Sequence, residues 1–168
     1  MIAFSVVVGL WVILSPLFRN VETVNQRVVE TAIDVAGFTE GEVDIIEWFG
    51  KPLIIARRSS AQEARLESVP AEQLNDPDNK RSTQPQPANN RLRSATPGWF
   101  VAIGIGSSSG CALQYNVQAS EFSDGCDGSR YDLAGRALAG SAARSNTPVP
   151  HWRYADRKIF VSTGQVME

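Results

Sequence analysis

A chain of 168 residues, 43% hydrophobic and 20% charged, carries enough apolar material for one modest domain and too little length for two independent cores. A formal net charge of -2 supplies no clustered basic surface of the kind that nucleic-acid binding requires, so nucleic acid is not an expected partner.

The chain opens with MIAFSVVVGLWVILSPLF, Met1 to Phe18, which contains no charged side chain. As a helix this stretch would extend about 27 Å, close to the ~30 Å hydrocarbon core of a bilayer. It is expected to be a single transmembrane anchor over 1-19, followed by a linker or hinge over 20-31 and a β domain over 32-168. A cleaved signal peptide is the competing expectation, but no basic n-region precedes the apolar run and no small-x-small site follows it. Between Asn20 and Gly50 seven acidic residues stand against one basic residue, Arg27, which suits a solvated linker and strand face.

Strand signals come next, in TAIDV (Thr31 to Val35), EVDIIEW (Glu42 to Trp48) and PLIIARR (Pro52 to Arg58). Alternation on both sides of Phe49-Gly50-Lys51 predicts a hairpin. SAQEARLESV then predicts a short helix that ends before Pro70, with Ser60 and Glu63 at the spacing of a capping box. From Asn75 to Pro97 the chain is rich in Pro, Asn, Gln and Ser, which predicts an extended surface loop with no core of its own. GWFVAIGI (Gly98 to Ile105) and KIFVS (Lys158 to Ser162) are further strands. Short strands, turn residues, one short helix and a loop insertion describe a mostly antiparallel β domain.

Several motifs suggest chemistry without completing it. GSSSG, Gly106 to Gly110, fits the G-x-S-x-G nucleophile pattern around Ser108, but no helix is expected after it and His151 is the sole histidine. GIGSSSG lacks the glycine spacing and the βαβ setting of a phosphate loop. His151 is expected to be a packed or surface residue, since one histidine builds no metal site without converging partners. Asp124 and Asp127 sit at i and i+3 in a loop, but calcium needs six to eight oxygens. Cys111 and Cys126, the only cysteines, could be free thiols or could close a loop worth about 3 kcal/mol in the chain-entropy model.

Taken together, GIGSSSGCALQY and FSDGCDGSRYDLAGR resemble the two cluster loops of Rieske iron-sulfur proteins of cytochrome bc complexes. That family carries C-T-H-x-G-C in one loop and C-P-C-H-G-S-x-Y-D in the other, where one Cys and one His of each loop hold a two-iron two-sulfur cluster and the remaining cysteines pair. The resemblance implies a Cys111–Cys126 disulfide. It also places the four ligand positions on Gly106, Ser108, Asp124 and Asp127, none of which is a thiolate or an imidazole. Gly110, Gly128, Ser129 and Tyr131 are retained; in the family the two hydroxyls donate to cluster sulfurs. The anchor, the WFGKPLIIARRS hairpin, the short helix, the DPD-containing loop and the PVPHWRYADRKIFVSTG ending extend the likeness over most of the chain. The proline-rich loop that shields the family's cluster aligns near Gly140 to Asn146, where prolines are missing.

The resemblance therefore implies a Rieske-like antiparallel β domain behind one N-terminal transmembrane helix, with a degenerate cluster-binding subdomain at about 105-146. Arg19 beside the anchor argues weakly for a cytoplasmic domain; the cysteine pair argues for an oxidising compartment, and the domain is expected on the periplasmic or intermembrane-space side. The expected function is that of a non-catalytic accessory subunit of a membrane electron-transfer complex, with no cofactor, no catalytic residue and no small-molecule substrate. Its partners would be other subunits of that complex and the lipid bilayer. The alternatives are a working Rieske subunit of ubiquinol:cytochrome c oxidoreductase with unorthodox ligation, or a periplasmic binding module freed from its anchor.

Overall fold

A computed structural model describes residues 29-164. The expected anchor over 1-19 and nearly all of the expected hinge lie outside them. Among the described residues no helix is long and apolar enough to cross a membrane.

The strands are β1 (Glu30–Asp34), β2 (Val43–Trp48), β3 (Lys51–Arg57), β4 (Trp99–Ile103), β5 (Leu113–Asn116), β6 (Glu121–Asp124), β7 (Arg130–Asp132), β8 (His151–Ala155) and β9 (Lys158–Ser162). They form three antiparallel three-stranded sheets, in the orders β1-β9-β8, β2-β3-β4 and β5-β6-β7. One helix, α1 (Ser60–Ser68), follows β3. The first sheet ties the start of the described chain to its end, with Ile33 opposite Ile159 and Thr31 opposite Val161. The second is the centre of the core: Leu53, Ile54, Ile55 and Ala56 of β3 are all fully buried, so both faces of this strand are covered. Continuous apolarity, unlike the alternation of a half-exposed strand, matches that position. The third sheet is small and carries the two loops of interest at its end.

The predicted β2–β3 hairpin is present, with Trp48 opposite Lys51 across a two-residue turn at Phe49 and Gly50. Helix α1 also forms, but the capping box is one residue earlier than expected. The Ser59 hydroxyl accepts the Gln62 N–H at 3.3 Å, and the Gln62 side chain accepts the Ser59 N–H at 2.8 Å. Glu63 is engaged elsewhere, because its carboxylate accepts the Gly98 N–H at 2.8 Å and pairs with buried Arg58 at 3.2 Å. Ser59→Ala is expected to cost about 1 kcal/mol in urea denaturation, whereas Ser60→Ala changes stability by a few tenths at most; equal losses would restore the later register.

The Asn75 to Pro97 stretch departs from expectation. It is not a solvated loop, since Asp76, Asn79, Ala88, Arg93 and Ser94 are buried. Polar side chains satisfying backbone groups do what apolar burial does elsewhere. The Asp76 carboxylate accepts the N–H groups of Lys80 and Arg81 at 2.8 and 3.2 Å. The Arg93 guanidinium donates to the carbonyls of Thr147 at 2.7 Å and of Ala134 and Gly135 at 3.3 Å. Burial pushes the Arg93 guanidinium down to about 10 against the opposing pull of Asp132 and Asp76, and pushes Arg58 down to about 10 as well. Both remain cations at neutral pH.

Candidate functional site

Strand β4 leads into a first loop around 105-111, and β6 leads into a second around 124-129. Both make the same turn. In the first, the Gly106 N–H donates to the Cys111 carbonyl at 2.8 Å and the Gly110 N–H to the Gly106 carbonyl at 2.9 Å. In the second, the Asp124 N–H donates to the Ser129 carbonyl at 2.8 Å and the Gly128 N–H to the Asp124 carbonyl at 2.9 Å. Gly110 and Gly128 occupy equivalent positions with φ of 75° and 73°. A β-carbon on either would meet nothing within 4 Å, so left-handed backbone, and not crowding, requires glycine there.

The disulfide expected from the resemblance is present: Cys111 and Cys126 are bonded, with their Cα atoms 6.4 Å apart, and it joins the two loops. Around it stand the four positions that the resemblance matches to cluster ligands, and one pair of them meets. Gly106 and Asp124 face each other so closely that a β-carbon on Gly106 would overlap Asp124 Oδ2. The Asp124 side chain thus fills the space from which a longer side chain at 106 would grow. It is 1% exposed, and both its oxygens are engaged. Oδ1 accepts the Cys126 N–H at 2.8 Å, and Oδ2 accepts the Ser109 hydroxyl, which in turn accepts the Cys111 N–H at 2.9 Å.

The second pair is Ser108 and Asp127, both exposed. The Ser129 N–H at 2.8 Å, then the Ser129 and Ser108 hydroxyls, hold the Asp127 carboxyl below the usual range. Asp127 is therefore an anion at neutral pH. Among the described residues the one group of three His, Cys, Asp or Glu side chains with donor atoms within 4.8 Å of one another is Cys111, Asp124 and Cys126, and both sulfurs of that group are already bonded to each other.

The two retained hydroxyls point to backbone. Buried Tyr131 accepts the Ser107 N–H at 2.7 Å through its hydroxyl and shares a 3.1 Å bond with the Ser107 hydroxyl. Buried Ser129 accepts the Ala143 N–H at 2.9 Å. These bonds brace the first loop against β7 and the second against the 140-146 segment. That segment, lacking prolines, is pinned by Asn146, whose side chain accepts the Ala137 N–H and donates to the Asp76 carbonyl, both at 2.9 Å.

The hydrolase motif is not completed. No helix follows Ser108, and His151 opens β8 in another sheet, lining a groove with Trp152 and Phe160. Arg81 and Arg144 were not singled out from the sequence, yet both line a cavity with Ser108 beside the loops. An Asn/Ser-rich background with isolated arginines was the one available signal.

No family model matches the chain. The iron-sulfur subunit of ubiquinol-cytochrome c reductase from Blastochloris viridis is 30% identical over 134 residues, covering 79% of this chain and 70% of that protein. The corresponding subunit from Bradyrhizobium diazoefficiens is 29% identical over 155 residues, covering 91% and 82%. Among solved structures, a chain of a hyperthermophilic respiratory Complex III superposes with a TM-score of 0.51 at 18% identity, covering 94% of both chains, a likeness of fold.

Proposed function

We propose, from the premise that this chain belongs to the Rieske iron-sulfur subunits of ubiquinol-cytochrome c reductase, that it is a structural, non-catalytic subunit of a membrane electron-transfer complex and carries no cluster. The observation behind this is what stands at the four matched positions: the space beside Gly106 is filled by Asp124, whose two oxygens are already hydrogen-bonded, while Ser108 and Asp127 are exposed and offer a hydroxyl and a carboxylate. A two-iron two-sulfur cluster takes four thiolate or imidazole ligands, with two imidazoles on one iron in Rieske centres. Here the positions offer hydrogen, hydroxyl and two carboxylates, and carboxylates are hard donors ill-suited to iron in a sulfide cluster. Opening the disulfide would free two thiols and still leave the set short. The residues do not fit the group, and no electron path runs through them.

Retention of the disulfide, the paired turns and the bracing hydroxyls supports a role in which shape is used. The relatives are subunits of ubiquinol-cytochrome c reductase, so the partners proposed here are the other subunits of such a complex. The anchor over 1-19 would hold the 32-168 domain at the bilayer on its periplasmic or intermembrane-space side, with 20-31 as hinge.

The full-length chain, expressed in its native membrane and purified in mild detergent, tests both parts. Neighbouring subunits should co-purify, iron per chain should be far below stoichiometric, and reduced samples should lack the low-g paramagnetic signal of a Rieske centre. Stoichiometric iron in a two-iron cluster would overturn the cluster-free assignment in favour of unorthodox ligation. Recovery of the chain alone, or its release from membranes by high salt, would overturn the subunit assignment.

A further inference from the structure

Three loops border an open surface cavity of about 500 Å³ beside the paired turns, lined by Asn75, Arg81, Ser108, Ser141, Ala142 and Arg144. Its size falls within the range of small-molecule sites. The polar groups in it divide into those already spent and those free. The Asn75 amide donates inward to the carbonyls of Ala143 at 2.6 Å and Leu138 at 3.2 Å, and the Ser141 hydroxyl donates to the Leu138 carbonyl at 2.8 Å. Arg58, Arg130, Arg136 and Arg153 each have a carboxylate partner within salt-bridge distance. Among the described residues Arg81 and Arg144 have no carboxylate partner and no hydrogen-bond acceptor for the guanidinium, as is also true of Arg57, Arg65 and Arg157; what sets the two apart is that they line one cavity. The backbone N–H groups of Ala142 and Arg144 likewise find no acceptor among the described residues.

Two negative groups lie near. Asp76 is buried, with its carboxylate turned to the backbone N–H groups of Lys80 and Arg81. Asp127 is exposed on the second loop, where its carboxylate accepts the Ser129 N–H at 2.8 Å. Two guanidiniums without a carboxylate partner thus line one cavity, in a protein of net charge -2. Guanidinium forks match tetrahedral oxyanions bidentately, and two forks on opposite loops suit the several oxygens of a phosphate better than the two of a carboxylate.

We propose that the Arg81–Arg144 cavity binds a phosphate ester. A soluble phosphate monoester and a lipid headgroup share this chemistry. Binding is measured by calorimetry on the full chain in non-ionic detergent, with glycerol 3-phosphate as the soluble probe and dihexanoyl phosphatidic acid as the lipid probe. Saturable binding is expected, weakening with added salt and weakening about tenfold or more in Arg81→Gln/Arg144→Gln, two exposed positions whose replacement should leave the circular dichroism unchanged. Lys158→Gln, on β9, should bind as the parent does. Equal affinity for the two probes identifies a soluble ester, and tighter binding of the short-chain lipid identifies a headgroup. Absence of saturation with both probes, or a double variant that binds like the parent, overturns the proposal. Iron content plays no part in this measurement, so its failure leaves the cluster-free assignment untouched.

Discussion

Asp132→Ala will lower the stability of the domain by about 3–5 kcal/mol, a large share of the ~5–15 kcal/mol typical of a whole domain. Asp132 is 7% exposed and Arg136 1% exposed, and they form the deepest ion pair among the described residues, with Arg136 donating to Asp132 Oδ2 at 2.7 Å. The same carboxylate caps the turn after β7: Oδ1 accepts the N–H groups of Ala134 at 2.9 Å and Arg136 at 3.0 Å. Arg136 Nη2, itself 2.7 Å from Asp132 Oδ2, also donates to the Leu66 carbonyl at 2.7 Å, which links this turn to α1. Removing the carboxylate strands a buried cation and orphans two backbone donors at once. The attraction within a buried pair is largely offset by its desolvation, so the loss comes mainly from leaving one partner behind. Asp132→Asn/Arg136→Met, which keeps the capping oxygen and removes the cation, should therefore lose less than half as much. Urea denaturation followed by tryptophan fluorescence reads both; a double variant as unstable as the single one would show that the pair itself, and not an abandoned charge, sets the cost.

The features legible from the sequence were those in which one physical signal dominates a long enough stretch. Alternation around a glycine turn announces β2 and β3, and unbroken apolarity announces β4 and β9. CALQYN reads as turn or strand and contains β5, while β6 and β7 escaped because EFSD and RYD are too short to show a period; the inward residues of the three, Leu113, Phe122 and Tyr131, are buried. β8 escaped for a similar reason, with Trp152 its one buried residue. The Asn75 to Pro97 stretch was misread because composition reports apolar burial and is blind to burial by hydrogen bonding, which is how Asp76 and Arg93 are held.

At the site, family resemblance located the four positions, and a disulfide between the two loops followed from it. The pairing across the loops could not be seen. Gly106 lies far from Asp124 in the chain, and only the folded turns reveal that the carboxylate occupies the space beside the glycine. The missing side chain at Gly106 and the carboxylate at Asp124 thus form one packing unit, with Asp124 buried, the Ser109 hydroxyl bonded to it, and the Cys126 N–H satisfied by it. The cavity between Arg81 and Arg144 was hidden for the same reason, since its walls come from three separate loops.

If side chains alone separate this module from a cluster carrier, restoring them should restore the cluster. Gly106 is not in left-handed backbone, so a cysteine there is conformationally permitted, but its β-carbon would overlap Asp124 Oδ2. Gly106→Cys alone must therefore expel a buried, doubly bonded carboxylate and is expected to destabilise the domain while binding no iron. Adding Asp124→Cys removes the conflict and supplies the second thiolate of that pair. Ser108→His and Asp127→His supply two imidazoles at exposed positions, one on each loop. With the Cys111–Cys126 bridge intact and the turns set by Gly110 and Gly128, the quadruple variant should take up a two-iron cluster on reconstitution with iron and sulfide. Two imidazoles on one iron should give it a reduction potential between about −150 and +300 mV, well above that of an all-thiolate cluster near −400 mV. Iron analysis, paramagnetic resonance and voltammetry measure the result, with the parent treated identically as the control. A quadruple variant that folds, keeps its disulfide and still rejects iron would mean that the scaffold has lost more than its ligands; a parent that takes up the cluster would mean that it has lost nothing.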